Sequence, residues 1–280
     1  MQRADDQGQD PLTDDALAGP FRVWQRARGH RFSLDDVLTA FVAARVRPTA
    51  RAAVDLGCGL GSVLLMLAYK LEGARLWGVE AQAESFALLT RNCARNGFDP
   101  GGPVRVAHAD LRDPRWIAEV RSELPEGGAE LVTGTPPYQP LGHGTVSPDA
   151  QRAHARVELR GGVEAYLATG AQLLAPDGRL VVCADSRTPE RVVHGAASVG
   201  LAPLSRLSVV PAEGKGALFD VWTLARGEGG ESVACATEPP FVARDAEGRR
   251  SAASLELLRF FDRGLPEGEA PSPRVRVRVQ

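Results

Sequence analysis

Ala52-Ala53-Val54-Asp55-Leu56-Gly57-Cys58-Gly59-Leu60-Gly61-Ser62 is the stretch that decides the fold. A short β-branched and apolar run delivers an acid, and glycines at alternate positions then turn the backbone into an amphipathic helix. Gly57, Gly59 and Gly61 permit a tight turn and let a ligand approach backbone N–H groups without meeting a Cβ. The spacing is G-x-G-x-G rather than G-x-G-x-x-G, with Asp55 two residues ahead of the first glycine. That combination favours a ligand carrying an amino group and ribose hydroxyls over a pyrophosphate. The alternative is an ordinary strand-to-helix turn.

Outward from this loop, short strands alternate with helices from Ala52 to Ala184, the pattern of a doubly wound, mostly parallel sheet. Strands are expected at 52–56, 75–79, 104–107, 129–134 and 179–184, and helices at 62–71, 83–96, 163–174 and 188–199. Gly97 stops the second helix, and Pro176-Asp177-Gly178 turns the chain into the fifth strand. Two further strands, 205–210 and 217–225, flank Glu213-Gly214-Lys215-Gly216 and predict an antiparallel hairpin closing the sheet. Residues 1–20 read as a disordered tail and 21–225 as the catalytic domain with an N-terminal helical segment. Residues 226–265 read as an extension with one helical patch, 252–261. The Arg-Val alternation of 274–279 follows Pro271 and Pro273, so 266–280 read as a flexible tail.

The chain of 280 residues, 44% hydrophobic and 24% charged, has a globular composition. No apolar run approaches the ~20 residues of a membrane span, and the polar start lacks a signal-peptide core; a cytoplasmic protein is expected. The net charge of −2 gives no global field for nucleic acid. Only Lys70 and Lys215 are lysines among 33 basic residues, an arginine bias spread along the whole chain that reads as genome composition. Cys58, Cys93, Cys183 and Cys235 are scattered without metal-ligand spacing, as are the five histidines, so no metal site is expected.

The glycine loop resembles the first motif of class I S-adenosylmethionine-dependent methyltransferases. Such a Rossmann-like sheet binds ligands at the carboxyl ends of its strands, where this chain places Asp55, Glu80, Asp110 and Thr135, spaced 25 or 30 residues apart. The resemblance implies S-adenosylmethionine as cofactor. Asp55 would lie near its ammonium group, Glu80 would accept both ribose hydroxyls, and Asp110 would accept from the adenine amine. Capping of the following segment is the alternative for Asp110.

Thr135-Pro136-Pro137-Tyr138 resembles the Asn-Pro-Pro-Tyr motif of methyltransferases that modify amino or amide nitrogens. An amine conjugated to a ring is a poor nucleophile because its lone pair is delocalised. A side-chain oxygen at 135 and the Pro136 carbonyl can bind its two N–H groups and draw the nitrogen towards a tetrahedral shape. The prolines stiffen the loop, and Tyr138 offers a ring for a base to stack on. Thr for Asn at 135 keeps an acceptor with a reach shorter by about one bond.

Beyond these motifs the chain is similar to the bacterial family that methylates N6 of an adenosine in the anticodon loop of a valine tRNA. The likeness is carried by Gly29–Leu38, by Ser147-Pro148-Asp149 with Arg152–Glu158, by Gly214–Phe219 and by the segment from Glu238 to Gly248. It implies an RNA partner, tRNA in particular. Arg26 and Arg28 lie in a basic run with Phe21 and Trp24 interleaved, and Arg152, Arg156 and Arg160 recur at helical spacing. Such stripes follow phosphates or are solvated faces; the sequence leaves both open. The same core also serves methyltransferases for protein amides or small molecules, and a cofactor-binding module that lost catalysis when Asn became Thr is a further alternative.

Overall fold

A computed structural model of the chain describes residues 10–142, 146–227 and 235–264. It opens on a hairpin of β1 (Leu12–Ala18) and β2 (Phe21–Arg26), paired from Leu12 opposite Arg26 to Ala18 opposite Phe21. Residues 12–18 were expected in a tail; they are ordered because Leu17, Ala18 and Val23 enter the core. Helix α1 (Leu34–Val46) follows, its first turn closed by a capping box in which Asp36 accepts from the Ser33 N–H at 2.8 Å.

The sheet begins with β3 (Ala52–Leu56), buried throughout, and the glycine loop leads into α2 (Ser62–Lys70). Next come β4 (Arg75–Glu80), α3 (Ala83–Arg95), β5 (Val104–His108), α4 (Pro114–Glu123) and β6 (Ala129–Gly134). After α5 (Ala150–Arg156) and α6 (Val163–Leu173) the chain forms β7 (Leu174–Asp185), α7 (Pro189–Ser198), β8 (Leu201–Val210) and β9 (Phe219–Arg226). Short strands β10 (Ala236–Thr237) and β11 (Phe241–Val242) run parallel to β8, and α8 (Ala252–Phe260) is the last described helix.

Strand order is β8-β9-β7-β6-β3-β4-β5, parallel from β7 to β5, with β9 antiparallel between β7 and β8. The expected hairpin therefore closes the sheet, and the order reverses between β3 and β6. That reversal leaves a crevice at their carboxyl ends. One face of the sheet is packed by α1, α2, α3 and α8, the other by α4, α6 and α7.

Helix α4 was not foreseen, although Asp113 caps it, accepting from the Arg115 N–H, and Pro114 opens it. Strand β7 starts earlier than expected and absorbs Pro176-Asp177-Gly178 as a register irregularity against β6. Residues 1–9 and the tail 266–280 lie outside the described residues.

The C-terminal extension is bound to the front of the molecule. Gly19 donates its N–H to the Phe261 carbonyl at 2.7 Å, and Tyr69 Oη donates to Asp262. Lys70 Nζ donates to the Phe260 carbonyl at 2.8 Å and lies 4.4 Å from the centre of its ring. Lys215, by contrast, is exposed in the turn between β8 and β9.

Candidate active site

The three loop glycines have left-handed backbones, with φ of +60° at Gly57, +55° at Gly59 and +96° at Gly61. Their surroundings separate their roles. A Cβ on Gly57 would strike the Tyr166 hydroxyl, and one on Gly61 would come within 2.8 Å of Leu89. A Cβ on Gly59 would meet no atom within 4 Å. Gly57 and Gly61 thus let α6 and α3 pack closely, while Gly59 fronts an open cavity at the crevice.

Glu80, at the end of β4, lines that cavity. Its Oε2 accepts from Gly59 N–H at 2.9 Å and its Oε1 from Gln82 N–H at 2.6 Å. Burial pushes its carboxyl above the ordinary range, opposed by those N–H groups and by the Arg160 charge. Asp110 lines the same cavity. Arg112 grips it through Nε at 2.9 Å and Nη2 at 2.8 Å, which holds the carboxyl low. Asp113 is the cap of α4, while Asp110 Oδ1 accepts from the Arg112 N–H at 2.9 Å in the turn before it.

Asp55 departs from expectation. It is 1% exposed and does not line the cavity. Its Oδ1 accepts from the Thr133 hydroxyl at 2.7 Å on the neighbouring strand, and burial raises its carboxyl to about 7. The strand register turns it beneath the glycine loop. The third carboxylate that lines the cavity, besides Glu80 and Asp110, is Asp36 of α1, 7% exposed. Asp36 lies within Gly29–Leu38, where its only local signal is its position three residues after Ser33.

Thr135 follows β6 and lines both this inner cavity and a second, outer one. His30, Phe32, Asp36, Thr135 and Ala155 are shared by the two, forming a throat between them. The Thr135 hydroxyl donates to Asp36 Oδ1 at 3.5 Å. Pro137 faces the inner cavity, and Pro136 and Tyr138 face the outer one. Tyr138 stacks on Phe219, with ring centres 6.2 Å apart, and donates to Asp35 Oδ2 at 3.4 Å. One ring face of Tyr138 is therefore already used.

The arginines divide. Arg26 is 17% exposed and ties β2 to Glu84 of α3 at 3.0 Å and to Asp149 at the start of α5 at 2.8 Å. Arg28 bonds Asp10 at 3.2 Å, and Arg152 lies 4.0 Å from Asp149. Only Arg156 of these four lines the outer cavity. Arg160 does not continue the α5 stripe, because the backbone turns extended at Val157; it lines the inner cavity instead. Tyr166 also lines the inner cavity, from a helix whose apolar pattern gave no hint of it.

A family model described as methyltransferase small domain matches residues 32–133. The 4-amino-L-phenylalanine/4-methylamino-L-phenylalanine methyltransferase of Streptomyces pristinaespiralis is 28% identical over 213 residues, 60% of this chain and 68% of that protein. The tRNA1(Val) (adenine(37)-N6)-methyltransferase of Pedobacter heparinus is 26% identical over 181 residues, 65% of this chain and 71% of that protein. A predicted O-methyltransferase structure from Agrobacterium tumefaciens shares the fold, with a TM-score of 0.61 at 18% identity over 84% of this chain and 100% of the other.

The chain is an S-adenosylmethionine-dependent methyltransferase. Its cavity fits that cofactor. The methyltransferase leaves open space before Gly59, where a Cβ would otherwise stand. Glu80 is buried and fixed by two N–H groups, and a carboxylate with two oxygens retains acceptor capacity for ribose hydroxyls. Asp110, held by Arg112, presents a second carboxylate to the same cavity. When bound, the cofactor supplies an electrophilic methyl group on a sulfonium.

Proposed function

We propose that this methyltransferase acts on an exocyclic amine conjugated to a ring, with adenine N6 of an RNA, tRNA in particular, as the leading substrate. The observation that carries the reading is the position of Thr135-Pro136-Pro137-Tyr138, which starts at the throat between the cofactor cavity and the outer cavity. There the Thr135 oxygen and the Pro136 carbonyl would accept the two N–H groups of the amine. The nitrogen's lone pair is then left facing the cofactor, so the protein's contribution is positioning and electrostatics. The names of the two sequence relatives support it, since adenine N6 and the 4-amino group of 4-amino-L-phenylalanine are both ring-attached amines.

A small aromatic amine is the second reading, favoured by the engagement of Arg26 and Arg28 in ion pairs. Those contacts leave Arg156 of α5, which lines the outer cavity, as the first candidate for phosphate contact, with Arg152, 4.0 Å from Asp149, one turn before it. The test is to incubate the protein with isotope-labelled S-adenosylmethionine and either unmodified tRNA transcripts or 4-amino-L-phenylalanine. Products are then identified by mass spectrometry as N-methylated nucleoside or amino acid. Label in N6-methyladenosine supports the first reading and label in the free amine the second. Label in neither, with the cofactor bound, overturns both.

A further inference from the structure

We propose that Asp36 is the proton acceptor of the methyl transfer, taking the hydrogen that the target nitrogen loses. The inference rests on the amine reading above and on three observations at the throat. Asp36 lines both cavities, so its carboxylate stands where cofactor and substrate must meet. It is held in place from two sides: Oδ2 accepts from the Ser33 N–H at 2.8 Å and Oδ1 from the Thr135 hydroxyl at 3.5 Å. Among the described residues no lysine, arginine or histidine forms an ion pair with it, although it is buried. A buried carboxylate without a cation is costly by itself. The cost is relieved when positive charge appears beside it, which is what the reaction brings.

The chemistry balances. The nitrogen's lone pair forms the new N–C bond as the C–S bond breaks, and that bond's electron pair stays on sulfur. Positive charge thereby passes to nitrogen, which sheds one hydrogen as a proton to a carboxylate oxygen of Asp36. The outer cavity then gives the proton a path to solvent. When the ionised Asp36 accepts from the Thr135 hydroxyl, the lone pairs of that hydroxyl are free for the amine.

The groups facing Asp36 set its affinity for the proton. Asp35 neighbours it on α1, Asp55 lies on β3, Ser62 opens α2, Tyr138 follows β6, and Cys183 lies on β7. His30, across the throat, feels Asp35 and Arg156. Burial first, then the Asp35 charge, pushes the Asp36 carboxyl up to about 8, while Ser33 and Ser62 oppose. An acceptor tuned near neutral pH is suited to taking and releasing a proton each turnover.

The test is Asp36→Asn, whose single oxygen can still accept from the Ser33 N–H while its NH2 faces the Thr135 hydroxyl, and which cannot take the proton. Cofactor binding is followed by calorimetry near pH 7.5 in two buffers of different ionisation enthalpy. Methyl transfer is followed in single turnover with tRNA transcript or 4-amino-L-phenylalanine as the probe amine. The parent should release more protons than the variant when the sulfonium cofactor binds, because arriving positive charge ionises Asp36. The variant should bind the cofactor within about threefold of the parent, which also shows that it is folded. Its turnover should fall by ~10²–10⁴-fold, and the parent's rise in rate across pH 7–9 should vanish. Tenfold loss of cofactor affinity with undiminished turnover at saturation would assign Asp36 to the cofactor instead. Parent-like rates and pH profile would overturn the proposal outright. If the parent methylates neither probe, the amine reading has failed, and equal proton release by parent and variant then overturns the role of Asp36 separately.

Discussion

Single residues at the crevice carry distinct parts of the function, and each can be removed separately. If Glu80 accepts from two ribose hydroxyls, Glu80→Ala deletes contacts of ~1.5–3 kcal/mol each for a charged partner. Calorimetric titration should show S-adenosylmethionine binding weakened at least tenfold. Thr135→Val keeps shape but removes the hydroxyl, and single-turnover rates on the substrate identified above should fall by ~10²–10³-fold with cofactor affinity little changed. Thr135→Ser should retain most of the rate. A third expectation concerns Asp55, whose carboxyl is raised to about 7 from an ordinary 3.8. A raised folded-state value means the folded protein holds the proton more tightly than the unfolded one. The associated stability is fully present below about pH 4 and is lost as pH climbs through 7. Asp55→Asn, which still accepts from Thr133, should therefore raise the melting temperature at pH 8.5 and change it little at pH 4. Glu80, Asp110 and Thr135 were legible in the sequence because a strand end fixes where a side chain emerges. Asp36 was not, because its place at the throat depends on how α1 crosses the crevice, a tertiary fact with no local spacing to announce it.

At the level of elements, the hairpin β1–β2 and helix α3 are joined by one fully buried side chain. Asn92 accepts from the Trp24 N–H at 2.8 Å and donates to the Trp24 carbonyl at 3.0 Å and to the Leu60 carbonyl at 2.9 Å. It thus couples the hairpin to the glycine loop. Asn92→Leu strands three backbone groups, at ~1–3 kcal/mol for each that stays buried and unsatisfied. Chemical denaturation should register a stability loss of several kcal/mol, and cofactor affinity should fall with it as the loop loosens. Arg26 belongs to the same level: its partners Glu84 and Asp149 make it a tie between three elements. The parallel core was readable because buried strands are continuous apolar runs bounded by glycine turns. The hairpin was not. Its β1 reads Leu-Thr-Asp-Asp-Ala-Leu-Ala, and the acids that suggested a solvated tail are neutralised by Arg22, Arg31 and Arg95 from elsewhere in the chain.

Over the described residues, many of the arginines are neutralised within the chain. Arg22, Arg28, Arg31, Arg95, Arg112 and Arg191 all have carboxylate partners. If RNA is the substrate, its contact with α5 should be tested by Arg152→Glu combined with Arg156→Glu. Binding of a tRNA transcript should weaken, and its salt dependence should flatten by about two phosphate contacts. Unchanged binding and slope would mark these residues as solvated. Reversing Arg26 should instead lower the melting temperature, since it breaks a tie between elements. The scarcity of lysine has a practical outcome. Lys70 has its ammonium engaged by the Phe260 carbonyl and ring, so the exposed Lys215 is the only freely accessible lysine amine. Once the terminal amine has been blocked near neutral pH, an amine-reactive dye at higher pH should mark the chain at Lys215. Fluorescence from that single turn would report on the strand pair that closes the sheet, next to Phe219, the ring on which Tyr138 stacks.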